Sequence, residues 1–312
     1  RIVELEARRA DGPSAGENDD ELARLRAAAQ SEAQSKTLVP AAPAPTVERA
    51  GGLNRLNPEI SFTANFLAIA ATKSKEAFRN QEFELDLQSS LDPFSRGRLT
   101  LAFSAAGEVE VEESYISYPA LKAGLGLTAG KFRQTFGALN RQHLHALPQT
   151  DYPLALLTFF GDDGLGQTGV SLDWLLKRPW ADANELTVQL TDGENDAFGG
   201  EFFEHLALLA HFKNYWDLSD ATYFEWGLSG IVGETVTGDT SRVWGTDLTL
   251  KWQPPHRAKY RGLTWRTELL LSQRDDPAGR RRDAWGGYSY VEGLARRNLY
   301  LGLRLDRVEE PL

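Results

Sequence analysis

Two histidines separated by a single residue are the first positions at which this sequence could do chemistry. On an extended backbone, His143 and His145 direct both imidazoles to the same side of the chain. A carboxylate from Asp151 or Asp162 could then complete a site for a divalent metal ion. Two imidazoles without an identified third ligand also serve as hydrogen-bonding groups in a polar interior, so the sequence leaves both interpretations open.

A set of basic residues lies just before the histidines. Lys131, Arg133 and Arg141 carry positive charge, and charge at the narrow part of a pore determines which ions pass. An acidic turn follows at residues 161–164, Gly-Asp-Asp-Gly, which could hold Ca²⁺ through carboxylate oxygens or be only a turn. If the chain encloses a pore, the residues predicted to line it are Lys131, Arg133, Arg141, His143, His145 and Asp151.

These residues fall in a long stretch without clear alternation, residues 132–167, which is far longer than an ordinary loop. Its apolar section, residues 152–160, would not be left in water. We therefore expect the stretch to pack inside the protein and to narrow its interior. The alternative is an external loop that covers the rim or contacts a neighbouring subunit.

Beyond residue 52 the sequence alternates between apolar and polar residues nearly to its end, which indicates β-strands. In one run Trp244 and Trp252 share a face, whereas Asp247 and Lys251 lie on the other. Residues 121–130 alternate in the same way and predict one long strand. We count about a dozen strands in this chain, possibly thirteen.

Strand length and charge favour a membrane barrel over a soluble β-sandwich. Soluble strands average about five or six residues, whereas a strand that crosses a bilayer needs about nine to eleven. Charged residues such as Glu84, Asp86 and Glu268 stand in mid-strand opposite the apolar face, which fits a water-filled interior. Tryptophans near the ends of several runs are typical of aromatic girdles. The alternative is a large soluble β-protein with these aromatics in its core.

The predicted fold class is therefore all-β, a transmembrane antiparallel β-barrel over residues 53–312. Single-chain bacterial barrels have an even number of strands, and we expect about sixteen in the complete barrel. The chain finishes on a turn-like proline, Pro311. Because an open sheet edge in lipid is costly, we expect a few C-terminal strands to be missing.

The N-terminal region has a different composition. Residues 1–36 are rich in Glu, Arg, Ala and Leu at helical spacings, and predict a helical or coiled-coil segment; a solvated arm is the alternative. Residues 37–52, with Pro40, Pro43 and Pro45, predict an extended linker. The absence of methionine and the start at Arg1 suggest that a signal segment was removed, which would place residues 1–36 in the periplasm.

Composition and motifs exclude several classes of function. The chain has 34 Lys and Arg against 44 Asp and Glu, a net charge of −10, which disfavours nucleic acid as a partner. Cysteine is absent, so disulfides and thiolate metal sites are excluded. A stretch of about 18 apolar residues is also absent, so a membrane would have to be crossed by strands. We find no G-x-S-x-G, H-E-x-x-H or phosphate loop, and expect no enzymatic activity.

One motif resembles a known family. Residues 130–137, Gly-Lys-Phe-Arg-Gln-Thr-Phe-Gly, resemble the end of a strand in the phosphate-selective porins O and P. The stretch at 140–153 is similar to porin-like proteins often labelled zinc-regulated TonB-dependent outer-membrane receptors. The porin resemblance implies a sixteen-stranded homotrimer with a constriction loop in its lumen and basic residues that bind anions, of which Lys131 and Arg133 lie within the motif.

These features predict a porin-like channel in the bacterial outer membrane for small solutes or ions, with residues 132–167 as its constriction. It would be surrounded by outer-membrane lipid and carry no cofactor, unless His143, His145 and Asp162 bind a divalent cation. A second hypothesis is a structural protein tethered through residues 1–36 to the cell wall or an envelope partner. A third is an outer-membrane hydrolase in which His143 or His145 acts as the base beside a serine.

Overall fold

The computed structural model describes residues 58–68, 78–104, 107–162, 164–195, 197–199, 205–235, 237–275 and 280–309. All of them belong to the second of the two units into which the chain divides, residues 53–312. The helical segment predicted for residues 1–36 and the linker predicted for residues 37–52 lie outside the described residues.

Among the residues that the structure describes, thirteen strands form one antiparallel sheet, in agreement with the predicted count of about a dozen, possibly thirteen. Each strand pairs with the strands that precede and follow it along the chain, except that a short two-stranded insertion separates two of them in sequence. Period-two alternation over long runs produces this simple meander, since each turn returns the chain beside the strand it has just left. The strands are β1 (Glu59–Ala68), β2 (Phe78–Ser90), β3 (Arg96–Phe103), β4 (Val109–Tyr118), β5 (Leu125–Arg133), β6 (Gly166–Leu176), β7 (Ala183–Thr191), β10 (Ala207–Ser219), β11 (Thr222–Glu234), β12 (Thr240–Trp252), β13 (Gly262–Asp275), β14 (Arg281–Arg296) and β15 (Leu299–Val308).

The remaining elements are short. Within the described ranges, no helix has the length and apolar character that crossing a membrane requires. The insertion between β7 and β10 is a small separate sheet of two strands. These elements are β8 (Glu194–Asn195), β9 (Phe198–Gly199), the helix α1 (Leu154–Phe160) and the 3-10 turns Lys122–Gly124, Leu144–Ala146 and Pro255–Arg257.

The strand predicted over residues 121–130 was wrong at its start, because β5 begins only at Leu125. In the preceding 3-10 turn Ala123 and Gly124 have positive φ values, 63° and 77°. The N–H of Leu121 donates to the carbonyl oxygen of Leu125 (2.8 Å) and closes the turn. Alternation of small residues does not reveal such a turn, since glycine adopts extended and left-handed conformations equally well.

The two faces of the sheet carry opposite kinds of side chain. On the outer face, Leu301, Leu303 and Leu305 of β15 are 63%, 69% and 68% exposed. On the inner face, Thr249 and Glu268 are 0% and 1% exposed. Water-soluble proteins show the reverse distribution, with large apolar residues inside and charged residues outside. The outer face is therefore suited to apolar surroundings.

The connections differ in length between the two ends of the strands, each of which forms one rim of the sheet. At one edge, which we call the short-turn edge, the connections include residues 220–221 and 297–298. The opposite edge, the long-loop edge, carries residues 134–165 and 192–206. The two longest connections therefore lie at one end of the strands, and both two-residue turns lie at the other.

Exposed aromatic residues follow both edges. Trp252 is the last residue of β12, and Trp244 lies eight residues before it, in the half of the strand near the long-loop edge. This separation is roughly 27 Å along the strand, or about 20 Å across a layer if the strands tilt by about 40°. The exposed aromatics near the short-turn edge are Phe94, Tyr118, Trp174, Trp180, Trp252, Tyr260, Trp265 and Tyr300, and those near the long-loop edge are Phe66, Phe78, Trp244 and Trp285.

Candidate functional site

The described residues of the connection 134–165, which joins β5 to β6, lie against the inner face of the sheet, and we call this connection the inner segment. Its side chains Phe136, Leu139 and Phe159 are each 0% exposed. They form one apolar cluster with inward-facing residues of the strands. The inner segment therefore packs on the inner face of the sheet. The cluster residues that belong to the thirteen-stranded sheet are Ala207, Leu209, Ile231, Val243, Leu270, Ala284, Tyr288 and Tyr290.

Polar side chains on the strands bind the main chain of the inner segment. The N–H of Thr135 donates to Gln189 Oε1 of β7 (3.0 Å). The N–H of Gly137 donates to Ser229 Oγ of β11 (2.9 Å). A buried N–H without a partner costs about 1–3 kcal/mol. These polar residues of the inner face therefore fix the path of the segment across the sheet.

Glu268 of β13 is the central anchor of the inner segment. Its Oε1 accepts hydrogen bonds from the N–H groups of Ala138 (2.5 Å) and Leu139 (3.1 Å). Gly137 has a φ of 58°, and a Cβ at this position would lie 2.6 Å from Glu268 Oε2. The last glycine of the motif at residues 130–137 is thus required by backbone conformation and by the close approach of the carboxylate.

The far end of the inner segment contacts β15. The N–H of Leu154 donates to Asp306 Oδ1 (3.2 Å). Arg304 forms an ion pair with the Asp151 carboxylate (3.1 Å) and donates to the Asp151 carbonyl oxygen (2.7 Å). Helix α1 also packs on β14 and β15. One side of the inner segment is therefore held near the C-terminal strands.

His143 extends from the inner segment toward carboxylates of β2 and β4, at the other end of the sheet. Its Nδ1 lies 2.6 Å from Glu112 Oε2 and 3.4 Å from Glu84 Oε2. Its Nε2 lies 3.2 Å from Glu113 Oε2. His145 Nδ1 is 3.3 Å from the same Glu84 oxygen, and the two imidazole rings stack at 5.7 Å. We call these five residues the carboxylate–histidine cluster.

A β-bulge explains how two consecutive glutamates reach the cluster. The register between β3 and β4 shifts, so that Thr100 pairs with Glu113 but Leu101 pairs with Val111. Glu112 is the extra residue, and both glutamates turn inward. Neither was in the predicted site. The sequence does contain a signal for the bulge, because the outward apolar residues of β4 fall at odd positions, 109 and 111, and then at even positions, 116 and 118.

Two guanidinium groups partly neutralise the negative charge of the carboxylates. Arg98 Nε donates to Asp86 Oδ1 (2.8 Å), and Arg98 Nη1 lies 3.2 Å from Glu113 Oε2. Arg133 Nη2 lies 3.6 Å from Glu112 Oε2, and its main-chain N–H donates to Glu113 Oε1 (3.2 Å). Four carboxylates, those of Asp86 and the three glutamates, therefore meet two guanidinium groups and two imidazoles.

The electrostatic environment keeps His143 protonated. Burial by itself lowers the pKa of His143, whereas hydrogen bonds to the carboxylates of Glu112 and Glu113 raise it, and the pKa rises to about 9. In the absence of another cation, the imidazole is therefore positively charged at neutral pH.

A cavity of about 250 Å³ adjoins the cluster. Lys131, Arg133 and Glu112 line it, together with Glu110 and Asp192. Lys131 Nζ lies 3.8 Å from Glu110 Oε1. The cavity is thus lined by charges of both signs, and it gives solvent a route to one side of the cluster.

The structure brings some of the predicted site residues together and leaves others apart. Arg133, His143 and His145 meet in or beside the cluster. Arg141 is exposed and has no ion pair among the residues that the structure describes. Asp151 pairs with Arg304, and Asp162 is exposed in the turn after α1. In the described part of the chain, the residues whose ligand atoms are close enough to share a metal ion are Glu84, Glu112 and His143.

His143 and His211 do not present a serine to a substrate. Both ring nitrogens of His143 contact carboxylates. Ser229 Oγ lies 2.8 Å from His211 Nδ1, but these residues are only 6% and 2% exposed. Ser229 also accepts the N–H of Gly137. This serine–histidine pair therefore holds the inner segment in place and is closed to a substrate.

Comparison with known sequences identifies one partial relative. No protein-family model matches the chain. An uncharacterized protein of Aquifex aeolicus (strain VF5) is 36% identical over 130 residues. This alignment covers 41% of the chain and 27% of the Aquifex protein, so the chain spans about a quarter of that relative.

Comparison with solved structures identifies distant β-proteins of outer membranes. OmpT, an outer membrane protein of Vibrio cholerae in its trimer form, is 9% identical, with a TM-score of 0.44 over 81% of this chain and 89% of that one. An anion-selective porin from Comamonas acidovorans is 10% identical, with a TM-score of 0.36 over 80% of this chain and 100% of that one. Likeness at this level does not define a family for the chain.

Proposed function

We propose that this chain forms a channel in the bacterial outer membrane through which small solutes or ions diffuse, with the inner segment as its constriction. The observation that carries this proposal is the reversed distribution of side chains. Large apolar residues cover the outer face of the strands, whereas the buried charged and polar residues of the strands lie on the inner face, beside the apolar cluster that packs against the inner segment. An apolar exterior is stable against lipid, and a polar interior is stable with water.

The sheet closes into a barrel under this proposal. Unpaired backbone groups at an open edge in lipid would cost several kcal/mol each. The inner segment contacts Glu84 of β2 and Asp306 of β15, so the sheet must curve around it. The two aromatic bands, about 20 Å apart, would lie at the two lipid interfaces. We propose about sixteen strands in the complete barrel and a homotrimeric assembly.

The orientation of the barrel follows from its connections. Outer-membrane barrels have short periplasmic turns and longer extracellular loops. The short-turn edge would therefore face the periplasm. Since β1 begins at that edge, residues 1–36 would lie in the periplasm, where they could contact the cell wall or an envelope partner.

Placing a charge at mid-height on the outer face is expected to destabilise the protein in a lipid bilayer. Leu228, in the middle of β11, is 43% exposed, and Leu218, beside the short β10–β11 turn, is 59% exposed. Leu228→Arg should lower the free energy of unfolding in lipid vesicles by about 2–4 kcal/mol, and Leu218→Arg by about 0–1 kcal/mol. Guanidinium titration of the folded protein in vesicles measures both. Equal losses at the two positions would argue against a membrane-spanning sheet.

Reversing the charge of Arg141 is expected to change ion preference. Arg141 is exposed in the inner segment, and no carboxylate pairs with it among the described residues. Arg141→Glu should move the reversal potential in a KCl gradient toward that of a cation-selective pore. Arg178→Glu, an equal charge change in the exposed turn between β6 and β7, is the matched control and should leave the reversal potential unchanged. If both variants behave like the parent chain, the inner segment does not act as the filter.

A further inference from the structure

We propose that Glu84, Glu112 and His143 form a binding site for one divalent cation, with Zn²⁺ preferred. The ligands come from β2, β4 and the inner segment. The carboxylate ligands are two glutamates of the strands, and not Asp162 as the sequence suggested. The inference does not depend on whether the chain conducts ions, because binding can be measured without a membrane.

The donor atoms of Glu84, Glu112 and His143 all lie within 4.8 Å of one another, close enough to share one metal ion. Zn²⁺ binds nitrogen and oxygen ligands at about 2.0–2.2 Å, which separates neighbouring donors by roughly 3.3 Å. Glu84 Oε2 lies 3.4 Å from His143 Nδ1, close to this separation. His145 Nδ1 lies 3.3 Å from the same Glu84 oxygen and can hold that carboxylate in place. The 2.6 Å contact between Glu112 Oε2 and His143 Nδ1 has the length of a hydrogen bond. Metal binding would replace this proton and lengthen the contact by roughly 0.7 Å.

Glu112 has room for that movement. It is the extra residue of the β4 bulge, and it lines the cavity of about 250 Å³ that reaches the cluster. Its side chain is 17% exposed, compared with 4% for Glu84. The cavity also provides an entry path for a hydrated ion to this side of the site.

A further carboxylate orients the histidine. Glu113 Oε2 lies 3.2 Å from His143 Nε2, so a proton on Nε2 is donated to Glu113 and the lone pair of Nδ1 is directed at Glu84 and Glu112. Metal-bound histidines in proteins usually donate their second ring N–H to such a partner. Arg98, 3.2 Å from Glu113 Oε2, holds this carboxylate in place. Glu113 is therefore a positioning residue.

The charge of the region also fits a divalent cation. The carboxylates of Asp86, Glu84, Glu112 and Glu113 outnumber the two guanidinium groups of Arg98 and Arg133 by two negative charges. One divalent cation beside two neutral imidazoles balances them. Imidazole ligands favour Zn²⁺ over Ca²⁺ and Mg²⁺, which prefer oxygen ligands alone.

The ion would have a structural role, because its three ligands come from two strands and the inner segment. The ion would join the walls formed by β2 and β4 to the inner segment, at the end opposite the contact with β15. It would therefore fasten the inner segment to the sheet.

Calorimetric titration of the EDTA-treated full-length protein with Zn²⁺ in detergent tests the site. We expect one ion per chain. Glu112→Gln and His143→Asn should weaken binding at least tenfold, and Glu113→Gln by about 10–100-fold. Glu108→Gln, the same kind of substitution in the exposed β3–β4 turn, is the matched control and should bind like the parent chain.

A second measurement uses the parent chain alone, in case a variant does not fold. Co²⁺ bound in place of Zn²⁺ should give the strong visible absorption of a tetrahedral site, and excess Ca²⁺ should not displace it. Absence of saturable binding by the parent chain, weak octahedral absorption, or equal affinities in the folded Glu112→Gln and Glu108→Gln variants would overturn the proposal.

Discussion

Excising the inner segment is expected to raise the single-channel conductance several-fold. Arg133 and Gly166 are cross-strand partners at the ends of β5 and β6. A two-residue Asn-Gly turn can therefore replace residues 134–165 without changing the pairing of the sheet. The excision removes the apolar cluster that the segment builds on the inner face, and the wider lumen should conduct more ions in planar bilayers.

The matched control shortens a connection at the opposite edge. Replacing residues 253–261, between β12 and β13, with the same turn should leave conductance unchanged, since this connection lies at the opposite end of the strands from the inner segment. Heat-modifiable electrophoretic mobility would show whether each variant folds. An excised variant that folds and conducts like the parent chain would contradict the assignment of the constriction.

The excision also exposes inward apolar residues such as Ile231 and Val243 to water, and folding could suffer. A single cysteine then gives an independent test, because the chain has no natural cysteine. In the chain that retains the inner segment, Arg141→Cys followed by a charged thiol reagent should reduce the current in steps as subunits react. If the reagent couples to the thiol and leaves the current unchanged, Arg141 does not border the pathway.

Gly137→Ala is expected to lower the free energy of unfolding by about 2–5 kcal/mol. A non-glycine residue at a φ of 58° costs about 1–2 kcal/mol. The new Cβ would also meet the Glu268 carboxylate at 2.6 Å. Moving Glu268 breaks its hydrogen bonds to the inner segment, which costs about 1–3 kcal/mol more. Guanidinium unfolding in detergent micelles, followed by tryptophan fluorescence, measures the loss.

Gly238→Ala separates the cost of the backbone conformation from the cost of displacing the Glu268 carboxylate. Gly238 has a φ of 79°, and a Cβ there would meet nothing within 4 Å. This variant should lose only the conformational part, about 1–2 kcal/mol. Gly137→Ala should also increase current fluctuations in bilayers, because the inner segment loses its central anchor. Equal losses of stability and equally quiet currents would show that Glu268 does not anchor the segment.

Much of the fold could be predicted because period-two alternation is a local property. Trp244 and Asp247 point to opposite faces of β12 whatever strand lies beside them, so the alternation of the run identified the exposed and the buried face. The apolar character of residues 152–160 similarly indicated that they must be buried. The start of β5 was predicted wrongly, because the turn before it depends on the contact between Gly124 and the end of β6.

The candidate site combines a local feature with a non-local one. The spacing of His143 and His145 was visible in sequence, but their partners, Glu84 and Glu112, lie on strands far away along the chain. Bringing them together requires the register of β2, β3 and β4, the bulge at Glu112 and the path of the inner segment across the sheet. A strand's own residues set its alternation, but register and bulges depend on its neighbours. The exposed and buried faces were thus encoded locally, whereas the ligand set arose from packing.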